Sequence, residues 1–428
     1  MAETLRADVA VVGAGPAGVA AACRAAESGA RVVLLDENLV PGGQIHRHLP
    51  GEAPPPKARV WLDRLRRSGA EMITAASLFD AERRGDAWHL RALGGKRVLF
   101  VRTRRLVIAT GARELFLPFP GWTLPGVLGA GAAQALVKSG ADLSGRCAVV
   151  AGSGPLLLSA AAALAKAGAR VVFVAEQASL SNLAGFAATL VRTPGRILEG
   201  IRYRAAIAGT PYRTGFWVKA AGGDERVERA HVTNGARKLE LTCDLLCVGW
   251  GLVPNLELPR LIGCEIDSRG VVVSPRQETS SPGVFAAGEI CGIAGAETAI
   301  WEGEIAGLAA SESLSPSSAE GRRLFAARAR GRRFGDALAD AFALCPEILA
   351  LAVPETLVCR CEDVPFSRLL GARSMREAKL ETRAGMGACQ GRICGGALSR
   401  ILGLPPDTVR PPLVPVPMEA LASEEEPT

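Results

Sequence analysis

Four cysteines near the end of the chain have the types and spacing to do chemistry. Cys359 and Cys361 form a Cys-x-Cys pair; Cys389 and Cys394 form a Cys-x4-Cys pair after the intervening residues 362–388. Four thiolates on two short loops suit an iron–sulfur cluster and lie far from the spacing of Cys2His2 zinc sites. Zinc held by all four is the rival reading. Gly385, Gly387, Gly391, Gly395 and Gly396 surround the second pair, leaving backbone N–H groups free to bond cluster sulfurs. Cys23, Cys147, Cys247 and Cys264 lie on apolar stretches and read as small buried hydrophobes, and Cys291 as core filler. No Cys-x-x-Cys pair occurs, which argues against dithiol–disulfide catalysis.

A second signature lies at the start. Gly13-Ala14-Gly15-Pro16-Ala17-Gly18 follows an apolar run, Asp8 to Val12, and opens an alanine-rich stretch. There the first glycine permits a tight turn, Gly15 lets backbone approach a pyrophosphate, and Gly18 lets helix and strand pack closely. A helix opening at Pro16 and Ala17 offers uncommitted N–H groups and partial positive charge to phosphates. Asp36 ends the next apolar run, with Glu37 beside it, and is placed to accept from a ribose hydroxyl. The motif alone does not separate FAD from NAD. Three further segments favour FAD. Pro41-Gly42-Gly43-Gln44 gives bare backbone for a flat ring, Ala109-Thr110-Gly111 closes the run Leu106 to Ile108, and Gly288-Glu289 follows Val284 to Ala287. His46 is placed as a proton relay and Arg47 to stabilise a reduced, anionic flavin. No acid–base pair, nucleophile or carboxylate clamp stands out, so the expected chemistry belongs to bound redox groups.

These residues need elements to position them. Residues 7–36 read as strand, glycine turn, helix and strand, and Arg146 to Glu176 repeats the plan. The repeat carries Gly152-Ser153-Gly154-Pro155-Leu156-Leu157, with Leu157 at the third glycine position. A leucine there pushes the helix off the strand or fills space beside a pyrophosphate. The second site is therefore expected to be empty or to hold an adenine nucleotide. Glu176 would disfavour a 2′-phosphate. Val271 to Val273 reads as a short strand, about Ala294 to Ala310 as a helix, Ser311 to Ser318 as a linker, and the acidic tail Glu419 to Thr428 as frayed.

The 428 residues are 48% apolar and 22% charged, a globular composition. The net charge of +7 is scattered; its densest run, Gly321 through Arg333, interleaves with Leu324, Phe325 and Ala327. It reads as a solvated helix face, and nucleic acid is not an expected partner. The polar start runs straight into a strand, leaving no room for a signal, and the longest apolar run, around Leu156 to Ala165, is too short to span a bilayer. The expected location is cytoplasmic, where thiols stay reduced.

The three flavin segments resemble those of the two-dinucleotide-fold flavoprotein disulfide reductase superfamily. That resemblance implies that Gly288-Glu289 holds ribityl and phosphate, with Glu289 replacing the family's aspartate. The segment carrying the four cysteines resembles the domain named after bacterioferritin-associated ferredoxin, which implies a [2Fe–2S] cluster on Cys359, Cys361, Cys389 and Cys394. Asp36-Glu37-Asn38, Pro41 to Ile45, Pro125-Gly126-Val127 and Thr382 to Arg392 extend the likeness over nearly the whole chain. Together they look like the α (A) subunit of the opine oxidase, D-hydroxyproline dehydrogenase, L-proline dehydrogenase and hydrogen cyanide synthase family. The implied fold is α/β: an FAD-binding domain over 1–120 and 268–315, a degenerate NAD-binding-like domain over 121–267, a helical linker over 316–350 and a [2Fe–2S] domain over 351–428. Leu78 and Thr298 join the implied FAD contacts. The carbon–nitrogen bond would be oxidised in a β subunit of D-amino-acid-oxidase type. An FMN at its interface, electron acceptors at the inner membrane and a small ferredoxin-like γ subunit complete the implied complex. Some members carry NAD or ATP in place of FAD. Two other classes stay open: a stand-alone NAD(P)H-dependent flavoprotein reductase, and a mainly structural nucleotide-binding subunit.

Overall fold

The computed structural model describes residues 4–191 and 194–423. The chain forms two compact units. The first takes residues up to Arg113, Pro254–Asp336 and the chain from Thr408; the second takes Glu114–Val253 and Ala337–Asp407. These boundaries differ from the four segments expected above: the cysteine-bearing stretch is grouped with the second dinucleotide fold, and the chain then returns to the first unit.

The first unit begins as β1 (Thr4–Val12), α1 (Pro16–Glu27) and β2 (Val32–Leu35), followed by α2 (Pro56–Ser68), β3 (Glu71–Ile73), β4 (Ala76–Arg84), β5 (Ala87–Gly94) and β6 (Arg97–Ile108). Its sheet runs β3-β2-β1-β6-β5-β4. The β1, β2 and β3 pairings and that of β1 with β6 are parallel; β4, β5 and β6 form an antiparallel meander. Both faces of β1 are covered, because Val9 and Val11 enter one core and Ala10 and Val12 another. That continuous apolar run is what a strand buried between two layers requires.

After β7 (Ala112–Glu114), the second unit is built from β8 (Val127–Gly129), α3 (Ala130–Lys138), β9 (Cys147–Gly152), α4 (Leu156–Lys166), β10 (Arg170–Glu176), α5 (Leu180–Leu190), α6 (Pro194–Ala206) and β11 (Tyr212–Thr214). An antiparallel sheet of β12 (Trp217–Gly222), β13 (Arg229–Thr233) and β14 (Lys238–Thr242) precedes β15 (Leu245–Gly249). Strands β11-β10-β9-β15-β8 make a parallel sheet.

The chain re-enters the first unit through β16 (Leu252–Pro254) and α7 (Glu257–Leu261). Then β17 (Val284–Ala286) pairs with the end of β6, and α8 (Ala296–Ala310) packs on α1. The packing is tight: a Cβ at Gly303 or Gly307 would come within 2.1 and 2.3 Å of the Ala17 and Ala21 carbonyls. The expected strand Val271–Val273 is reduced to one bridge, Ile266 to Val271.

Helix α9 (Ala319–Ala341) corrects the reading of the arginine run. Gly321, Leu324, Ala327, Gly331 and Gly335 form a buried stripe, and Arg328 and Arg332 beside it are ion-paired inside the first unit. Only the opposite face is solvated. After α10 (Pro346–Leu349), β18 (Leu357–Cys359) and β19 (Val364–Pro365), helices α11 (Met375–Thr382) and α12 (Cys394–Ile401) complete the cysteine-bearing stretch. The tail is also corrected. Met418–Ala422 is a helix, α13, with Ala420 buried, and Arg91 donates to the carbonyls of Ala420, Leu421 and Ser423 at 2.8–3.1 Å. Residues 424–428 lie outside the described residues.

Candidate functional site

The first cradle forms where β1 ends. Gly13 (φ +102°) lies so close to Ala109 that a Cβ would stand 2.4 Å from its carbonyl oxygen, and one at Gly18 would stand 1.7 Å from the Gly13 oxygen. Gly15 differs. A Cβ there meets nothing nearer than the Gly43 Cα, at 4.0 Å. Protein packing does not demand this glycine, whereas close approach of a ligand would. Helix α1 is capped by Gly15 with Pro16 at its start, no side-chain cap and no acid in its first turn. Its N-terminal charge is therefore left uncompensated.

Asp36 is buried and accepts from the Ala14 N–H, and at 2.7 Å from both the backbone and side-chain N–H groups of Asn38. It thus fixes the turn, a role not read from the sequence; Glu37 is exposed. The Gly42 N–H donates to the Ala14 carbonyl at 2.8 Å, laying the Pro41–Gln44 backbone beside the glycine turn. His46 and Arg47 are half-buried on this loop. A cavity of about 550 Å³ lined by Val40, Pro41, His48, Leu62, Leu65 and Met72 adjoins the loop, but no residue of the glycine turn lines it. It is not the cradle.

Asn255 clasps the Ala109–Gly111 turn: its side-chain amide donates to the Thr110 carbonyl at 2.8 Å, its N–H to Gly111 at 3.0 Å, and its own carbonyl accepts from the Thr110 hydroxyl at 3.2 Å. At the third segment, the Gly288 N–H donates to Glu302 at 3.0 Å. Glu302 is fully buried and held by Arg332 at 2.5 and 2.6 Å, while Arg332 also donates to the Cys291 and Gly292 carbonyls at 2.6 and 3.1 Å. Arg328 reaches Gln277, whose amide donates to the Ala286 carbonyl at 2.7 Å. Sequence reasoning missed Asn255, Glu302, Arg328 and Arg332. Only the helical spacing of the buried stripe on α9 could have signalled the last two.

The Glu289 carboxyl makes no hydrogen bond or ion pair among the described residues, and burial pushes it above the usual carboxylate range. Thr298 is buried beneath Gly331, and its hydroxyl donates to the Ala294 carbonyl at 3.1 Å. Leu78 sits in β4, packed at the edge of the core. The free space at Gly15, the uncapped α1 and the unpaired carboxyl of Glu289 fit a dinucleotide.

The second fold repeats the turn with Gly152 (φ +139°) and Gly154 (φ +106°). Leu157 does not obstruct it. Its side chain is fully buried in the core below and lies against Gly249, whose missing Cβ would meet it at 3.4 Å. Glu176, also fully buried, accepts from the Gly154 and Ala178 N–H groups at 2.9 Å, and burial pushes its carboxyl up to about 7.

The four C-terminal cysteines are free thiols that meet as two pairs, Cys361 with Cys389 and Cys359 with Cys394. Among the described residues no group of three or more His, Cys, Asp and Glu side chains is gathered as a site for one metal ion. The expectation of four thiols around one centre is thus met only pairwise. Gly387 permits the pairing, because a Cβ there would stand 2.2 Å from that of Cys361. Burial pushes the Cys389 thiol up, but hydrogen bonds from the Ile393, Gly391 and Arg392 N–H groups and the Cys361 thiol outweigh it and hold it below its ordinary value. Thiols are soft donors that either zinc or an iron–sulfur cluster takes, so the donor set fits both groups.

Comparison with known proteins extends this geometry. Residues 7–303 match the pyridine nucleotide-disulphide oxidoreductase family. The A subunit of opine oxidase from Agrobacterium tumefaciens (strain Ach5) is 32% identical over 92% of this chain and 85% of its own length. The HcnB subunit of hydrogen cyanide synthase from Pseudomonas aeruginosa is 33% identical over 91% of each. The crystal structure of L-proline dehydrogenase from P. horikoshii matches 99% of this chain and 81% of that chain with a TM-score of 0.68 at 21% identity, a likeness of fold. The chain belongs to the pyridine nucleotide-disulphide oxidoreductase family and, within it, to the flavin oxidoreductase subunits that include those of opine oxidase (its A subunit) and hydrogen cyanide synthase (its HcnB subunit).

Proposed function

We propose that the chain is the flavin and iron–sulfur electron-transfer subunit of a heteromeric dehydrogenase that oxidises the carbon–nitrogen bond of an amino or imino acid. The observation that carries this reading is the presence in one chain of an open dinucleotide cradle and two converging thiol pairs. The relatives' names, which include the A subunit of opine oxidase and the alpha subunit of sarcosine oxidase, support a complex of several subunits. FAD, when bound, would take up electrons delivered from the β subunit and release them one at a time.

The chain's own residues would bind and orient. Gly15 leaves room for pyrophosphate, and the N–H groups of α1 face its charge. Asp36 holds the turn that receives the ribose. Burial without a paired cation favours the protonated form of Glu289, so it can donate a hydrogen bond to a ribityl or phosphate oxygen. Arg47 would stabilise negative charge on a reduced ring, and His46 would relay the proton. Cys359, Cys361, Cys389 and Cys394 would hold a [2Fe–2S] cluster as thiolates. The amine would be oxidised in a β subunit of D-amino-acid-oxidase type. An FMN at that interface, a cytoplasmic location and a small ferredoxin-like γ subunit complete the reading.

Anaerobic purification of the chain alone and with its β subunit tests it. Bound FAD, iron and sulfide with imino-acid oxidation only in the complex are expected. Turnover by the single chain would overturn the divided enzyme, and rapid flavin bleaching by NADH would favour a stand-alone reductase.

A further inference from the structure

The two dinucleotide folds differ at equivalent places. A Cβ at Gly15 would meet only the Gly43 backbone, at 4.0 Å, whereas one at Gly154 would meet the ring of Phe342, at 3.9 Å, from far along the chain. Phe342 belongs to the stretch 341–345 that leaves the end of α9. That stretch is tied to the turn by side chains that are themselves more than nine-tenths buried. The Ser153 hydroxyl donates to the Phe342 carbonyl at 2.9 Å. The Gln177 amide donates to the Ser153 hydroxyl and to the Ala343 carbonyl, each at 2.9 Å, and the Cys345 N–H donates back to Gln177 at 3.2 Å. Asn182, in the first turn of α5, reaches the Ala341 carbonyl at 3.5 Å. The Phe342 ring meets Phe186 edge-on at 5.3 Å between centroids.

In an open parallel sheet a dinucleotide lies beyond the carboxyl ends of the strands, with pyrophosphate on the glycine turn and ribose at the acid ending the second strand. Ser153, Gly154 and Gln177 mark that ground at the ends of β9 and β10. We infer that residues 341–345 are an internal ligand of the second dinucleotide fold, occupying the cleft where an adenosine diphosphate group would lie. Carbonyl oxygens of the chain take the hydrogen bonds that pyrophosphate and ribose would take, and Phe342 supplies the flat, apolar surface. The fold is closed by this segment, not by Leu157. Buried polar side chains such as Ser153 and Gln177 require partners, and the segment meets that requirement without a nucleotide.

This inference is independent of the electron-transfer reading, and its test has no redox readout. The probe is ADP-ribose, which carries no nicotinamide, titrated calorimetrically into full-length chain bearing Gly15→Val so that the first cradle is closed. No binding up to millimolar ligand is expected. Adding Phe342→Ala should tighten binding at least tenfold. Micromolar binding to Gly15→Val with the segment intact would overturn the inference. Hydrogen exchange on the unaltered chain decides separately whether the segment is seated: the Phe342 and Cys345 amides should be protected as strongly as the neighbouring ends of β9 and β10. Exchange at the rate of an unstructured peptide would equally overturn it.

Discussion

Residues of one type do different work in the two glycine turns, and single substitutions should separate those roles. Gly18→Ala forces a Cβ onto a carbonyl at 1.7 Å and should cost several kcal/mol, enough to unfold the first unit. Gly15→Val places its branch where only Gly43 lies near, at 4.0 Å from the Cβ, so the unit should fold with Tm within a few degrees of the parent. Retained dinucleotide should nevertheless fall at least tenfold, as measured by flavin release and absorbance; stoichiometric flavin in this variant would refute the assignment. Glu176 makes a second separation, by pH. Its carboxyl titrates near 7 in the folded chain because burial disfavours the anion, and near 4.5 once unfolded. Between these values the unfolded state binds fewer protons, so stability falls as pH rises from about 4.5 to about 7 and levels off above. The loss amounts to about 3 kcal/mol at roughly 1.4 kcal/mol per pH unit. Glu176→Gln should remove this slope. Denaturant titrations from about pH 5 to about pH 8, spanning that window, should therefore show the parent losing ground relative to the variant. Parallel curves would mean that Glu176 ionises normally.

At the scale of elements, the sequence revealed whatever is local. The strands β1 and β9 with their glycine turns, helices α1 and α4, and the acids ending β2 and β10 follow from runs of Val and Ala and from motif spacing within a single strand–helix–strand unit. What stayed hidden depends on partners far along the chain. Arg328 and Arg332 look solvent-directed in a run of arginines, yet Glu302, a helix earlier, draws them inside. Asn255 meets Thr110 across a long insertion. Residues 341–345 give no sign that they fill a cleft formed by Ser153 and Gln177. Helix α9 thus acts as a brace for the Gly288–Gly292 loop. Arg332→Ala would leave Glu302 only its longer pair with Arg328, at 3.7 Å, and free the Cys291 and Gly292 carbonyls. Removing one partner of a buried pair costs about 3–5 kcal/mol, so a clear drop in the melting temperature of the first unit is expected, with weaker flavin retention. The double variant Glu302→Leu/Arg332→Met should recover much of the loss. If Arg332→Ala melts like the parent, the brace carries no weight.

For the whole molecule, the proposed flavin would sit on a cradle in one unit and the proposed cluster on thiol pairs in the other, two redox groups that should be lost separately. The stretch from Leu357 to Leu404 has a small core of its own, centred on Val358, Val364, Leu369, Met375 and Leu398, and its two cysteine loops meet at their thiols and at the Glu362–Arg383 ion pair. In so small a core, metal ligation should supply much of the folding free energy. Cys389 sits where the Gly391, Arg392 and Ile393 N–H groups converge. Its replacement by serine exchanges a soft thiolate for a harder, poorly deprotonated oxygen in a site arranged for sulfur. Cys389→Ser should therefore lose most of its iron and sulfide and the paramagnetic resonance of the reduced cluster, and the second unit should become more open to protease. FAD content should stay at the parent level, since the residues of the cradle all lie in the first unit. In the assembled enzyme, flavin reduction by substrate should continue while transfer to an external acceptor falls at least tenfold. Zinc in place of iron in anaerobically purified parent protein would leave the cysteines a structural role and remove the electron path. Equal loss of flavin and iron in Cys389→Ser would instead show that the two redox groups do not fail separately.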